Sequence, residues 1–371
     1  MPVTEGLGAV VEEARGAIRV EPILIDPPGP GEVLVRVVAS GVCHSDAWAI
    51  QHGNWGAPFP MLLGHEGAGL VQEVGNGVTG LAPGDPVLMA WGVPCGACRS
   101  CRRGAPRKCE HAWTQPPRVR VARTGAGLQG TLSLGTLATH TVVHAAQLIP
   151  VPAAGDLSRV CLLGCGASTG VGAAINTADV WPGATVCVVG LGGIGLAALQ
   201  GARIAGASRL IAADLIASKL SYAQEMGATD VVDAGAGDVV AEVRDLTAGV
   251  GVDVAFEATG VPAVVGQAVA MLTRGGVAVA IGVPPPDAEV RLMWSGGPGA
   301  AYPNKASLLV TDGGDALRED FATWLGWAVD GRLDLNAMVT REGRLSETDL
   351  NEALRAMLAG EVIRTVIRTD P

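Results

Sequence analysis

The chain has 371 residues, 49% hydrophobic and 4% aromatic, with 53 glycines and a formal net charge of −10. That acidic balance argues against nucleic-acid binding, which needs basic patches facing phosphates, and the length fits two domains or one large one. With so few aromatics the core must be built from Val, Leu, Ile and Ala, the composition of buried parallel strands covered by helices.

The N-terminus, MPVTEGLGAVVEEARG, carries acids early and no apolar run, so it does not read as a secretory leader. A cytoplasmic setting with reduced thiols is expected. Residues 15–45 read as short strands: RGAIRVEPILI, a PPGPG turn, then EVLVRVVASGV with near-alternating apolar positions. GLVQEVGNGV and DPVLMAW continue the pattern, giving a β-rich first part. From about residue 167 strands alternate with helices: TVCVVG, then GLGGIGLAALQGARIAG, SRLIAAD, IASKLSYAQEMGA, VDVAFEAT, VPAVVGQAVAMLTRGG as a helix, and VAVAIGV as a strand. This implies a doubly wound parallel sheet, an α/β fold. From about residue 310 helices return in REDFATWLGWAVDGR and SETDLNEALRAMLAGE, and VIRTVIRT is a last short strand. Ala184–Ala202 is uncharged over 19 residues, but its five glycines and strand–turn–helix pattern mark a buried core element, and no membrane association is expected.

Cys95, Cys98, Cys101 and Cys109 lie within fifteen residues, in CGACRSCRRGAPRKC. Four thiolates saturate a tetrahedral Zn²⁺, which marks a closed structural site. The cluster is too compact to be the disulfide framework of a chain this long.

Gly190-Leu-Gly192-Gly193-Ile194-Gly195 follows an expected strand and opens an expected helix. Such a turn lets backbone approach a pyrophosphate at the helix N-terminus. Asp214 ends the next strand, 19 residues past Gly195, where a carboxylate would accept from ribose hydroxyls and repel a 2′-phosphate, favouring NAD over NADP. The alternative is an ordinary solvated loop residue. Lys219, five residues on, could reach the adenosine ribose.

Three further segments carry metal-ligand types: Cys43-His44-Ser45-Asp46, Gly64-His65-Glu66 and Leu163-Gly164-Cys165-Gly166. Three ligands with one tetrahedral position open is the logic of a catalytic zinc. Taken singly, His65 also reads as a satisfied structural histidine and Cys165, like Cys161 and Cys187, as a small core residue. Spacing alone does not unite residues so far apart.

The segments GVCHSD (41–46), LLGHEGAG (62–69), GDPV (84–87), the four-cysteine lobe, LLGCGASTGVGAA (162–174), GLGGIG (190–195), IGVPP (281–285) and GEVIRTVI (360–367) occur in order. On these the chain resembles the zinc-dependent medium-chain alcohol dehydrogenases over nearly its whole length, and most of all the bacterial alcohol/aldehyde and thiol-linked formaldehyde dehydrogenases. The resemblance implies a GroES-like catalytic domain over 1–166, with the zinc lobe at 92–112, a Rossmann domain over 167–309, and a return to the catalytic domain over 310–371. It further implies two zincs per chain, a catalytic one on Cys43, His65 and Cys165 and a structural one on the four-cysteine lobe. Glu66 would sit behind the catalytic ion, Asp46 would fix the His65 tautomer, and Ser45 would relay the alcohol proton. His44 and Arg364 would contact the pyrophosphate, and Thr169, Ile194 and the Ile281–Val283 backbone would position the nicotinamide. Trp91 would form a wall of the substrate pocket. Where many relatives place a histidine three residues after the relay Ser, this chain has Trp48, which cannot accept a proton and would narrow the pocket; His52 or water would carry the proton out. His140 and His144 read as surface or packing histidines.

The expected function is reversible hydride transfer between a primary alcohol or aldehyde and NAD. The alternative is a formaldehyde dehydrogenase acting on a mycothiol or glutathione adduct, and a different class is a non-redox binding protein on the same scaffold. By the same resemblance a homodimer or homotetramer is expected.

Overall fold

The computed structural model describes residues 2–53, 58–91, 94–110, 117–285, 287–292 and 305–369. They fall into two compact units, Met1–Cys165 with Ala316–Pro371, and Gly166–Asp315.

The first unit begins with β1 (Thr4–Val11), β2 (Arg19–Ile25), β3 (Glu32–Val42), α1 (His44–His52), β4 (Met61–Leu62), β5 (Glu66–Val74) and β6 (Pro86–Met89). It continues through α2 (Arg99–Arg102), β7 (Val119–Val121), β8 (Gly127–Gly130), β9 (His140–His144), β10 (Leu148–Pro150) and α3 (Leu157–Val160). The second unit holds α4 (Gly166–Gly172), β11 (Thr185–Val189), α5 (Gly193–Ile204), β12 (Arg209–Asp214), α6 (Ala217–Glu225), β13 (Asp230–Asp233) and α7 (Val239–Leu246). It ends with β14 (Val252–Glu257), α8 (Pro262–Ala270), β15 (Leu272–Ala280) and β16 (Ser307–Val310). The chain then returns to the first unit with α9 (Arg318–Val329), β17 (Val339–Arg344), α10 (Glu347–Leu358) and β18 (Arg364–Arg368).

In the first unit β1-β2-β7-β8-β4 close a barrel, and a second sheet runs β10-β6-β5-β3-β18-β17 with β9 also on β3. The long strand β3 changes partner along its length. Glu32–Arg36 pair with β9, whereas Ala39–Val42 pair with β18. β5 accompanies the other edge of β3 and sets Glu66 opposite Gly41. The barrel is filled by Ile23, Ile25, Leu34, Leu62 and Leu128, all buried. The second unit is a six-stranded parallel sheet, β13-β12-β11-β14-β15-β16. Its strands are the Val- and Ala-rich runs seen in the sequence, and Cys187, Ile211, Val232, Ala255 and Ala278 form its core.

One expected element is corrected. The helix expected to run from Val261 to Gly276 stops at Ala270, and Leu272–Gly276 belong to β15. Leu272 is buried and pairs with Val252, so tertiary burial overrides the apparent helical continuation. β13, α7 and β17 were not legible, being short, or polar, or both. The uncharged stretch 184–202 splits into β11 and α5, and no described helix is long and apolar enough to cross a membrane.

Candidate active site and metal centres

Sheet register in the first unit builds a buried cluster. Gly41 faces Glu66 across β3–β5, and Val42 faces Thr365 across β3–β18. Cys43, the residue after β3, is thereby delivered beside His65, Glu66 and Arg364. A side chain at Gly41 would sit 2.1 Å from Glu66 Oε2, so that close approach requires glycine. Cys165 arrives from the turn after α3. Ligand atoms of Cys43, His65, Glu66 and Cys165 all lie within 4.8 Å of one another. All four residues are buried, His65 and Glu66 completely.

Asp46, on the first turn of α1, organises this cluster. Its Oδ2 accepts from the Cys43 backbone N–H at 3.0 Å, and Oδ1 accepts from the Gly64 N–H at 3.1 Å. The same Oδ1 lies 3.2 Å from His65 Nδ1. This fixes the proton on Nδ1 and presents Nε2 to the cluster as a lone pair. His65 Nε2 is buried and has no hydrogen-bond partner. A buried imidazole nitrogen left unpaired is costly, and facing two thiols it has the character of a metal ligand. The donor set, two sulfurs and one imidazole with a carboxylate beside them, fits zinc with an open fourth position.

The electrostatics agree. Burial pushes the His65 imidazole down, but Asp46 and the Cys43 sulfur outweigh it and hold it well above its ordinary value. The hydrogen bond with Cys165 holds Cys43 well below the usual thiol range, while that contact and burial raise Cys165. Without a cation the two sulfurs share one proton, Cys43 as the thiolate and Cys165 as the thiol, and a divalent ion would take its place between them. Arg364, 3% exposed, places Nη1 3.7 Å from Glu66 Oε1. Arg364 thus also stands against the carboxylate behind the metal cluster, a partnership the sequence did not reveal.

The four-cysteine lobe is built differently. Cys98 Sγ accepts from the Cys101 N–H at 3.4 Å, Cys95 Sγ from the Cys98 N–H at 3.4 Å, and Cys109 Sγ from the Cys95 N–H at 3.3 Å. Its sulfurs also fall within 4.8 Å of one another. Backbone N–H groups of Glu110 and Cys101 pull Cys98 down to about 6, whereas desolvation and the Cys98 sulfur push Cys101 up to about 12. Four sulfurs and no open position suit a structural zinc.

In the second unit the glycine turn lies where the sheet order reverses, between β11 and β14. Gly190 has φ +93°. A side chain at Gly195 would meet Gly190 O at 1.8 Å, whereas one at Gly192 would meet nothing, leaving room for a ligand over the N-terminus of α5. Gly193 and Ile194 begin that helix, and Ile194 O backs onto Gly170, beside Thr169. Asp214 Oδ2 accepts from the Leu191 N–H at 2.6 Å and Oδ1 from the Ile216 N–H at 2.9 Å. Lys219 lies on α6, Ile281 is buried just past β15, and Val283 is 71% exposed.

Residues 29–153 match the alcohol dehydrogenase GroES-like domain, and residues 193–327 match the zinc-binding dehydrogenase domain. An S-(hydroxymethyl)glutathione dehydrogenase from Synechocystis is 37% identical, the match covering 97% of this chain and 98% of that one. The chain belongs to the zinc-dependent medium-chain alcohol dehydrogenases. It is an oxidoreductase with zinc and NAD as cofactors. Among solved structures, an alcohol dehydrogenase zinc-binding domain protein from Burkholderia ambifaria superposes with a TM-score of 0.90 at 30% identity, covering both chains completely. Benzyl alcohol dehydrogenase from Acinetobacter calcoaceticus gives 0.88 at 26% identity, over 99% of this dehydrogenase and all of that one.

Other expected site residues are placed less tightly. His44 is exposed at the start of α1, and Ser45 is half-buried one residue on. Trp48 stacks at a tilt on His52, with ring centroids 5.1 Å apart. Trp91, expected as a pocket wall, packs against the sheet core of Val33, Val35, Val87 and Met89. His140 and His144 cap the two ends of β9 as half-buried strand residues. Cys161 and Cys187 are buried thiols raised by desolvation, Cys187 to about 12, and neither joins a metal cluster among the described residues.

Proposed function

We propose that this dehydrogenase interconverts uncharged primary alcohols and their aldehydes, with the substrate oxygen at the Cys43–His65–Cys165 cluster. The observation carrying this reading is the buried donor set whose His65 Nε2 has no partner in the protein. When bound there, zinc supplies Lewis acidity toward the alcohol or aldehyde oxygen, and NAD takes or gives the hydride. Asp46 holds the His65 tautomer. Ser45, two residues past Cys43, accepts the alcohol proton. Trp48 cannot carry that proton, and exposed His52, stacked on it, passes it to solvent. Glu66 and Arg364 form a neutral pair behind the metal. The turn Gly190–Gly195 receives the pyrophosphate, and His44 and Arg364 supply the cationic or donor groups that the family resemblance assigns to it. Asp214 and Lys219 receive the adenosine ribose: each Asp214 oxygen keeps a lone pair beyond its backbone bond, and its charge favours NAD over NADP. Thr169, Ile194, Ile281 and Val283 flank the nicotinamide.

Between the ligands Cys43 and His65, residues 47–64 contain no Asp, Glu, Lys or Arg but include Trp48, Trp55 and Phe59. A glutathione adduct carries two carboxylates that need cationic partners, so this stretch supports an apolar or aromatic alcohol. The alternative, a thiol-adduct formaldehyde dehydrogenase, is the activity named for the Synechocystis relative. A panel of alcohols and aldehydes followed at the NADH absorbance, with and without glutathione or mycothiol, separates them. Turnover of benzyl-type alcohols without thiol is expected; formaldehyde oxidation only with added thiol would favour the alternative.

A homodimer or homotetramer in the cytoplasm is also proposed. Its support is β16, which ends the sheet among the described residues with Leu308, Leu309 and Val310 exposed. Such an apolar edge is a template for pairing with another copy.

A further inference from the structure

Glu257, the last residue of β14, is completely buried in the second unit, and nothing above uses its charge. Its Oε1 accepts from the Thr259 N–H at 2.6 Å, the Gly260 N–H at 2.9 Å and the Thr259 hydroxyl. Its Oε2 is buried with no hydrogen-bond partner. Its main-chain oxygen accepts from the Ile281 N–H at 2.8 Å and the Gly282 N–H at 3.1 Å. The next residue, Ala258, donates its N–H to Val189 O of β11 at 2.9 Å. Glu257 and Ala258 therefore tie together the ends of β11, β14 and β15 at the point where the sheet order reverses. The packing is tight: a side chain at Gly282 would sit 2.0 Å from Gly260 N.

Folding this turn needs only an acceptor, which Gln, Asn or Thr supplies without burying a charge. A buried carboxylate costs several kcal/mol unless compensated, and here every donor falls on one oxygen. No guanidinium or ammonium forms an ion pair with Glu257 among the described residues. The residual negative field lies under Ile281 and Gly282, the segment assigned to the nicotinamide. The nicotinamide ring is cationic in NAD⁺ and neutral in NADH, so a fixed charge nearby distinguishes the two forms.

We propose that Glu257 is a positioning residue that folds the nicotinamide-side turn and whose buried charge favours NAD⁺ over NADH. The proposal rests on the cofactor placement given above. Its test is binding, not turnover, on the zinc-loaded full chain. Dissociation constants for NADH (fluorescence) and NAD⁺ (calorimetry) are compared for wild type, Glu257→Gln and Glu257→Asp. Gln keeps an acceptor for the turn and removes the charge. Affinity for NAD⁺ should fall about fivefold, a modest value for one unit charge acting across a few ångströms of protein, while NADH affinity stays within about twofold. Asp keeps the charge on a shorter arm, so both affinities shift together and their ratio stays at the wild-type value. Equal weakening of both forms in Glu257→Gln, or no change in either, overturns the proposal. If Glu257→Gln does not fold, Glu257→Asp decides: an altered NAD⁺-to-NADH ratio there overturns it. A wild-type chain that binds neither form overturns the cofactor placement itself, a result distinguishable from failure of the Glu257 assignment.

Discussion

The two metal clusters of this dehydrogenase share a ligand chemistry and differ in everything that surrounds it. The lobe gathers Cys95, Cys98, Cys101 and Cys109 from one short segment, and its sulfurs are steadied by nearby backbone N–H groups. The inner cluster gathers Cys43, His65 and Cys165 from a strand end, a turn and a helix exit, and buries them with Asp46, Glu66 and Arg364. The first closes its coordination sphere with the ligands themselves. The second needs outer partners to fix a tautomer and balance charge, and it leaves one position open. A structural site can be made by local chain alone; a reactive one has to be held by the fold.

The contrast is broken most severely at Cys165. Cys165→Ser should lower kcat/KM by about a thousandfold or more, since several kcal/mol of charge stabilisation is lost. The metal count should fall from two to one with the lobe zinc retained, as plasma emission spectrometry would show. Loss of both ions would mean that the clusters are not independent.

Asp46→Asn should weaken zinc at the inner cluster by about 10–100-fold, the usual cost of losing an outer partner, and leave the lobe untouched. Competition with a chromophoric chelator measures this. If both sites weaken alike, Asp46 supports the fold and not the ligand.

The clusters should also separate by pH. In the zinc-free chain His65 is held well above its ordinary value. Below that raised value the imidazole is protonated and zinc must displace the proton. Inner-site affinity therefore falls as pH drops through it, and binding there releases the His65 proton in addition to the thiol protons that either cluster releases. Calorimetry in buffers of different ionisation enthalpy counts those protons.

The smallest effect on chemistry is expected in the lobe. Cys98→Ser should cost one zinc and lower the melting temperature by about 2–4 °C for each kcal/mol lost, with kcat of the folded fraction within about twofold of wild type. A kcat loss matching that of Cys165→Ser would give the lobe a catalytic role.

The same contrast explains what could be read from sequence. The lobe was legible because its ligands share one segment and spacing is itself the signal. The inner ligands are 22 and 100 residues apart, and only the pairing of β3 with β5 and β18 unites them, so they needed the family pattern. The alternating strands and helices of the second unit were plain from their apolar runs. The Leu272–Gly276 stretch misled because Leu272 continues a helical pattern that β14 captures as strand. Arg364 and Trp91 were legible as residues, but their packing partners, Glu66 and a valine-rich sheet face, come from parts of the chain distant in sequence and were not. Glu257 carried a signal that passed unused, a carboxylate at the end of the otherwise apolar run VAFE.

The strand β18 has a consequence for how the protein is made. It lies between β3 and β17, pairing Ala39–Val42 immediately before the ligand Cys43, yet it is synthesised long after β3. During translation the emerging first unit therefore has an open seam beside its metal cluster until β18 arrives. An open seam of this kind invites wrong pairing, and zinc captured early could not be enclosed by Arg364. Completion of the inner cluster in this sense waits for β18, whereas the lobe can mature as soon as Cys109 has left the ribosome.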